Sequence, residues 1–153
     1  MQTCTAPDYI LVPAEAQDKL IEAFTEVFKT FYPDGALKSD SYSRIVSNIH
    51  FKRVKGLLNA TKGKIALGGE TDEEQRFIAP TIVRDVTFED SLMSEEIFGP
   101  ILPIIPVKDV DQAIELINTQ YVQNSPSSRR NSFAELDAVT TPLQYTYSQM
   151  TRS

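Results

Sequence analysis

The chain has 153 residues and a net charge of −6, with 41% hydrophobic, 24% charged and 9% aromatic residues. This is the make-up of one ordinary globular domain, and it argues against a nucleic-acid partner, which calls for a clustered basic face. No apolar run reaches membrane-spanning length, and the single cysteine, Cys4, cannot form an internal disulfide, so a soluble protein of a reducing, cytoplasmic compartment is expected.

DYILVP (8–13) is a compact apolar run closed by Pro13 and reads as a buried strand. In AEAQDKLIEAFTEVFKTFYP, Leu20, Ile21, Phe24, Val27, Phe28 and Phe31 recur at helical spacing. An acidic first turn and the closing Pro33 give that helix sensible ends. Pro33-Asp34-Gly35 is a turn. SDSYSRIVSNIHFKRVKGLLNA (39–60) places Ile45, Ile49, Val54, Leu57 and Leu58 on a second amphipathic helix, with a break near 47–49. KIALGGE (64–70) predicts a short strand closed by a double-glycine turn. RFIAPTIVRDV is strand-like but interrupted by Pro80, which assigns it to a sheet edge or a bend. ILPIIPV follows, and DVDQAIELIN then forms a helix with Val110, Ala113, Ile114 and Ile117 on one face. Alternating strands and helices as far as Asn118 predict an α/β layer architecture.

The character changes at residue 119. Of the 35 residues in 119–153, 17 are Ser, Thr, Asn or Gln, with no period of 2 or 3.6. The basic-minus-acidic balance there is 3 − 2 = +1, against 12 − 19 = −7 for residues 1–118. So little apolar area cannot offset the entropy of ordering, and residues 119–153 are expected to form a polar, disordered tail after a domain spanning 1–118. Arg129-Arg130-Asn131-Ser132 within it has the basic-basic-x-Ser look of a kinase target, a short pattern that arises often by chance.

Few residues can carry chemistry. One cysteine and one histidine cannot supply a zinc site, and no metal is expected. His50, read as lying mid-helix, is assigned a solvated or packed role. GLLNATKGK fails as a phosphate loop because Lys64 is followed by Ile65, and no Gly-x-Gly-x-x-Gly occurs. Cys4 on its own reads as a small buried hydrophobe; a nucleophile would need a base or a depressed pKa, and the nearest carboxylate is Asp8. Adjacent Glu95 and Glu96 would ordinarily belong to a solvated turn. Yet Phe98-Gly99-Pro100 forces a tight backbone, which would hold Glu96 and Phe98 in fixed directions. A fixed carboxylate can accept two ribose hydroxyls, and an aromatic face can cover a heterocycle.

QTCTAPDYIL resembles the active-site cysteine segment of the aldehyde dehydrogenases (Gly-Gln-x-Cys), and EEIFGPILPI resembles their Glu-Glu-x-Phe-Gly-Pro signature. The order and the interval of roughly ninety residues also agree. Ala-Pro-Asp-Tyr after Cys4, the stretch GGETDEEQRFIAPTIVRDV and PVKDVDQAIELIN are similar to class 3, the branch that includes fatty aldehyde dehydrogenase. The resemblance runs from Gln2 to about Asn118. It implies a partial catalytic domain of parallel-sheet, Rossmann-like α/β layers, and NAD- or NADP-dependent oxidation of aldehydes to carboxylic acids.

Carried over by position, Cys4 is the catalytic nucleophile, whose thiolate attacks the aldehyde to give a thiohemiacetal and then, after hydride transfer, a thioester that water hydrolyses. Its backbone N–H is one oxyanion donor. Glu96 holds the nicotinamide ribose hydroxyls, and Phe98 packs beside that ribose. Class 3 relatives imply a homodimer and medium- or long-chain or aromatic aldehydes. The family's first motif glycine is Met1 here. Its nucleotide-binding domain, Glu-Leu-Gly-Gly base segment and oxyanion asparagine are not in this sequence, nor is its Pro-Phe-Gly-Gly segment. The expectation is therefore an internal fragment, truncated at both ends and inactive alone. The alternative is a non-catalytic isoform that pairs with full-length subunits.

Overall fold

The computed structural model describes residues 6–124; Cys4 and residues 125–153, including Ser132, lie outside the described residues. The chain divides into two units, one ending at Val110 and one beginning at Asp111.

In the first unit, β1 (Ile10–Pro13) leads through a 3-10 turn at Ala14–Ala16 into α1 (Gln17–Phe31). Next come α2 (Asn48–Ala60), β2 (Lys64–Leu67), β3 (Thr71–Asp72), β4 (Phe77–Ile78), β5 (Thr81–Arg84) and β6 (Ile101–Val107). The sheet order is β1-β6-β5-β2. β6 pairs in parallel with β1 (Ile104 opposite Ile10) and with β5 (Ile101 opposite Thr81), whereas β2 joins β5 antiparallel (Lys64 opposite Arg84). The sheet is thus mixed: a parallel heart, as the sequence predicts, with one antiparallel edge. β3 and β4 form a separate ribbon.

Pro80 does not make its segment an edge. It bends the chain between β4 and β5, and β5 lies inside the sheet, flanked by β6 and β2. Gly68 accommodates the bend: its φ is +74°, and a Cβ there would fall 2.1 Å from the Pro80 carbonyl oxygen.

β6 carries two prolines in the middle of the sheet, where a missing N–H would normally cost a ladder bond. Successive N–H groups of a strand point to alternate neighbours. The N–H of Thr81 donates to Pro100 O at 2.8 Å and that of Val86 to Ile104 O at 3.1 Å, so even-numbered β6 residues face β5. Pro103 therefore faces β1, one residue before β1 begins to pair. Pro106 faces the β5 side, past its last paired residue. Neither missing donor belongs to the ladder.

The core forms where α2 meets one face of this sheet. Phe51, Val54 and Leu58, spaced three and four apart, pack with Val83, Ile101, Ile105, Ile78 and Ile97. Leu102 and Ile104 are buried as well, so β6 is apolar on both faces, as a central parallel strand requires. Asp90 fastens the loop below the end of α2, accepting the N–H groups of Lys62 (2.8 Å) and Leu92 (3.0 Å). Burial disfavours its charge, but these bonds and the Thr61 and Ser91 hydroxyls prevail and hold its pKa below the usual range.

The helix expected over 39–60 is shorter than its pattern suggests. Ser47 is extended and its hydroxyl accepts the His50 N–H at 3.2 Å, so the helix starts at Asn48. The residues before it are held otherwise: the Arg44 guanidinium donates to Tyr42 O and Leu37 O, and the Ile45 N–H donates to Arg76 O. In the second unit, α3 (Val110–Asn124) runs six residues beyond the predicted end at Asn118. No glycine or proline interrupts it, and the Thr119 hydroxyl donates to Glu115 O at 2.9 Å within the helix. No helix among the described residues is long and apolar enough to cross a membrane.

Candidate functional site

The Glu95–Pro100 turn enters β6 at the leading end of the parallel strands, where β1 also begins. It is tied from two directions. The Asp8 carboxylate, just ahead of β1, accepts the N–H of Ile97 at 3.1 Å. From α2, His50 Nε2 lies 2.6 Å from Phe98 O, and the Arg53 guanidinium donates to Ile97 O at 2.5 Å and to Glu96 O at 3.1 Å.

The turn is tight for reasons local to Phe-Gly-Pro. Phe98 has φ +46°, a left-handed conformation rare for an aromatic residue. Gly99 presses on α2 so closely that a Cβ would sit 2.8 Å from Val54 Cγ1. Ile97, just before Phe98, is buried in the core. The chain is therefore pinned at Ile97 and Gly99, and Glu96 and Phe98 project from fixed backbone.

The two adjacent carboxylates differ. Glu95 Oε1 pairs with Arg53 Nη1 at 3.1 Å. Glu96 is exposed, and its carboxylate has no hydrogen-bond or ion-pair partner among the described residues. The structure thus brings Glu96 and Phe98 onto one rigid turn, while Cys4 lies outside the described residues.

His50 has the packed role the sequence assigned, but not the mid-helix position: because α2 begins at Asn48, it sits in the first helical turn, in contact with Phe98 O. Sequence reasoning passed over Arg53 altogether and gave Asp8 only its nearness to Cys4. A usable signal was present: His50 and Arg53 are three apart, so they share one helix face directly after the Ser47 cap.

Among the described residues, no group of three His, Cys, Asp or Glu side chains could hold a metal ion. A separate open pocket of about 370 Å³ is lined by Phe28, Tyr32, Leu37, Phe77 and Pro80, and none of the candidate site residues borders it.

Fold and turn define an α/β-layer protein with one candidate site at the leading end of its parallel strands. The chain belongs to the aldehyde dehydrogenase family, whose description matches residues 2–141. That match runs past Asn118 into the polar segment. Among curated relatives, it is 52% identical over 117 residues to aldehyde dehydrogenase family 3 member A2 of Rattus norvegicus, covering 76% of this chain and 24% of that one. It is 48% identical to family 3 member B2 of Mus musculus over the same shares. The chain thus spans about a quarter of the length of these curated relatives.

Solved structures agree. The substrate-bound state of Staphylococcus aureus AldH superposes with a TM-score of 0.74 at 43% identity, over 77% of this chain and 26% of that one. Two cofactor complexes also match: NADP-dependent glyceraldehyde-3-phosphate dehydrogenase of Bacillus halodurans with NADP (26% identity, TM-score 0.66, 77% and 25% covered) and Mycobacterium tuberculosis aldehyde dehydrogenase with NAD+ (27%, 0.62, 76% and 26%).

Proposed function

We propose that this chain carries the nucleophile and the nicotinamide-ribose contacts of an aldehyde-oxidising site, with Cys4, Glu96 and Phe98 as its residues. The observation that carries this reading is the division of labour between the adjacent carboxylates: Arg53 engages Glu95, and the Glu96 carboxylate has no partner among the described residues, on a turn whose backbone is hydrogen-bonded at Glu96, Ile97 and Phe98. An exposed carboxylate on such a turn, beside a half-buried aromatic ring, fits the ribose end of a dinucleotide. NAD or NADP supplies the hydride acceptor when bound.

The chain's own residues do the remainder. Glu96 accepts the ribose hydroxyls and Phe98 packs beside the ring, which orients the acceptor. The Cys4 thiolate attacks the aldehyde carbonyl carbon, and the Cys4 backbone N–H donates to the developing oxyanion. The adduct is a thiohemiacetal, which must give up its hydride to the bound acceptor before it becomes the thioester that water cleaves.

The substrate class is a medium- or long-chain or aromatic aldehyde, the assembly a homodimer and the location cytoplasmic, with membrane association in a longer protein left open. The Glu-Leu-Gly-Gly base segment is not in this sequence, so turnover by the 153-residue chain alone is not expected. A second reading is non-catalytic pairing with full-length subunits. Co-purification with such a subunit tests it.

The nucleophile can be tested without the cofactor. A p-nitrophenyl ester should acylate Cys4, read as a single acyl mass increment that Cys4→Ser lacks, faster in the folded chain than in urea. Equal rates folded and unfolded would remove the case for an activated thiol.

A further inference from the structure

We infer that His50 and Arg53 are positioning residues, a two-residue clamp on α2 that holds the Glu95–Pro100 turn in its left-handed conformation and so aims Glu96 and Phe98. The inference rests on the reading above only for what the turn contacts; the clamp itself is independent of it.

Three consecutive carbonyls of the turn, at Glu96, Ile97 and Phe98, are each taken by a side chain of α2. A carbonyl oxygen only accepts, so the 2.6 Å contact with Phe98 O requires the proton on His50 Nε2. His50 Nδ1 is then a lone pair, and Arg53 uses it: Nη2 lies 3.3 Å and Nε 3.4 Å away. The pair interlocks. Arg53 fixes the imidazole's orientation, the imidazole fixes the Phe98 carbonyl, and the two remaining Arg53 contacts fix the carbonyls before it. Glu95 completes the set by neutralising Arg53 at 3.1 Å.

The clamp answers a need the turn creates. Phe98 at φ +46° would relax if unrestrained, since only surroundings that over-determine it keep a bulky residue there. Relaxation would swing the Phe98 ring and the neighbouring Glu96 together. Asp8 alone cannot prevent this, because it holds the Ile97 N–H and leaves the Phe98 carbonyl free to rotate. His50 is placed for the task by the Ser47 cap, which fixes the first turn of α2.

The test is amide hydrogen exchange of the full chain in wild type, His50→Ala, His50→Gln and Arg53→Met. His50→Ala and Arg53→Met should speed exchange at residues 97–99 roughly three- to tenfold, the equivalent of one net hydrogen bond, while Ile101–Ile105 stay unchanged. His50→Gln, which keeps an N–H donor, should recover part of the protection. Wild-type exchange at 97–99 in both disrupting variants overturns the clamp. If those variants unfold globally, imidazole nitrogen chemical shifts of the wild type decide: one Nε2–H tautomer at neutral pH supports the clamp, and a tautomer-averaged ring overturns it. A loosened turn combined with unchanged dinucleotide affinity in Glu96→Gln would leave the clamp standing and remove only the cofactor role.

Discussion

Asp8 and Ile97 are 89 residues apart in sequence and joined by one hydrogen bond, carboxylate to N–H, at 3.1 Å. It links the segment that follows Cys4 to the turn that bears Glu96 and Phe98. Asp8→Ala leaves the N–H of a buried residue unsatisfied, which should cost about 1–3 kcal/mol. Asp8→Asn keeps an acceptor and should cost less. Urea unfolding of the two variants checks the difference, and equal losses would mean the bond contributes nothing specific.

Gly99 is a matter of space. A Cβ would meet Val54 Cγ1 at 2.8 Å, and the β-branched valine has little rotamer freedom in a helix. Gly99→Ala should therefore destabilise by about 1–3 kcal/mol. Adding Val54→Ala removes the clashing methyl, so the double variant should lose less than the two single losses added together. Strict additivity would show that the glycine serves something other than helix contact.

Gln17 and Asp85 exchange two hydrogen bonds: Gln17 Nε2 donates to Asp85 Oδ1 at 3.0 Å, and the Asp85 N–H donates to Gln17 Oε1 at 3.2 Å. The Gln17 amide is the main influence holding the Asp85 carboxyl below its usual range, and it outweighs desolvation, with Lys64 and Arg84 adding to it. A depressed folded-state pKa means stability that is present above the unfolded value of about 4 and lost as pH falls through the folded value. Asp85 also has φ +56°, which asparagine tolerates, so Asp85→Asn removes the charge without straining the backbone. Its stability deficit should be full at pH 6 and shrink steadily below pH about 4. A deficit independent of pH would assign the effect to shape alone.

Much of this was legible in the sequence because it rests on local rules. The helix α1, the strands at 8–13 and 64–67 and the tight Phe-Gly-Pro turn all follow from spacing and from Gly and Pro chemistry. What escaped depends on partners far along the chain. Pro80 looks like an edge marker until β2 covers β5 from the far side. Pro103 and Pro106 look incompatible with a central strand until the register shows which neighbour each would have faced. His50 is ordinary in the sequence, and its meaning comes from a carbonyl 48 residues away. The break expected near 47–49 is where α2 starts, at Asn48, but the helix before it does not form: Ile45 continues the apolar pattern while its N–H bonds Arg76 O instead. Periodicity marks apolar faces, though Val27, Phe31 and Ile49 on them stay exposed, and it does not report which backbone groups are already taken.

Glu95 and Glu96 provide the sharpest functional separation, since they are identical in chemistry and adjacent in sequence. Glu95→Gln weakens a half-exposed ion pair with Arg53, worth about 0–1 kcal/mol, and should change stability slightly in a salt-dependent way. Glu96→Gln removes no contact within the described residues and should leave the unfolding curve unchanged. On the function proposed above, its effect falls on dinucleotide binding. Losing one charged acceptor for ribose hydroxyls, at about 1.5–3 kcal/mol, should weaken affinity roughly ten- to hundredfold. Titration calorimetry with NAD and with NADP, on this chain within a protein that also carries the family's nucleotide-binding domain, and urea unfolding at low and high salt measure the two effects. The expected pattern is crossed: Glu95→Gln shifts stability and Glu96→Gln shifts binding. Weaker binding in Glu95→Gln, with Glu96→Gln unaffected, would move the ribose contact one residue back and place Arg53 in competition with the cofactor for the same carboxylate.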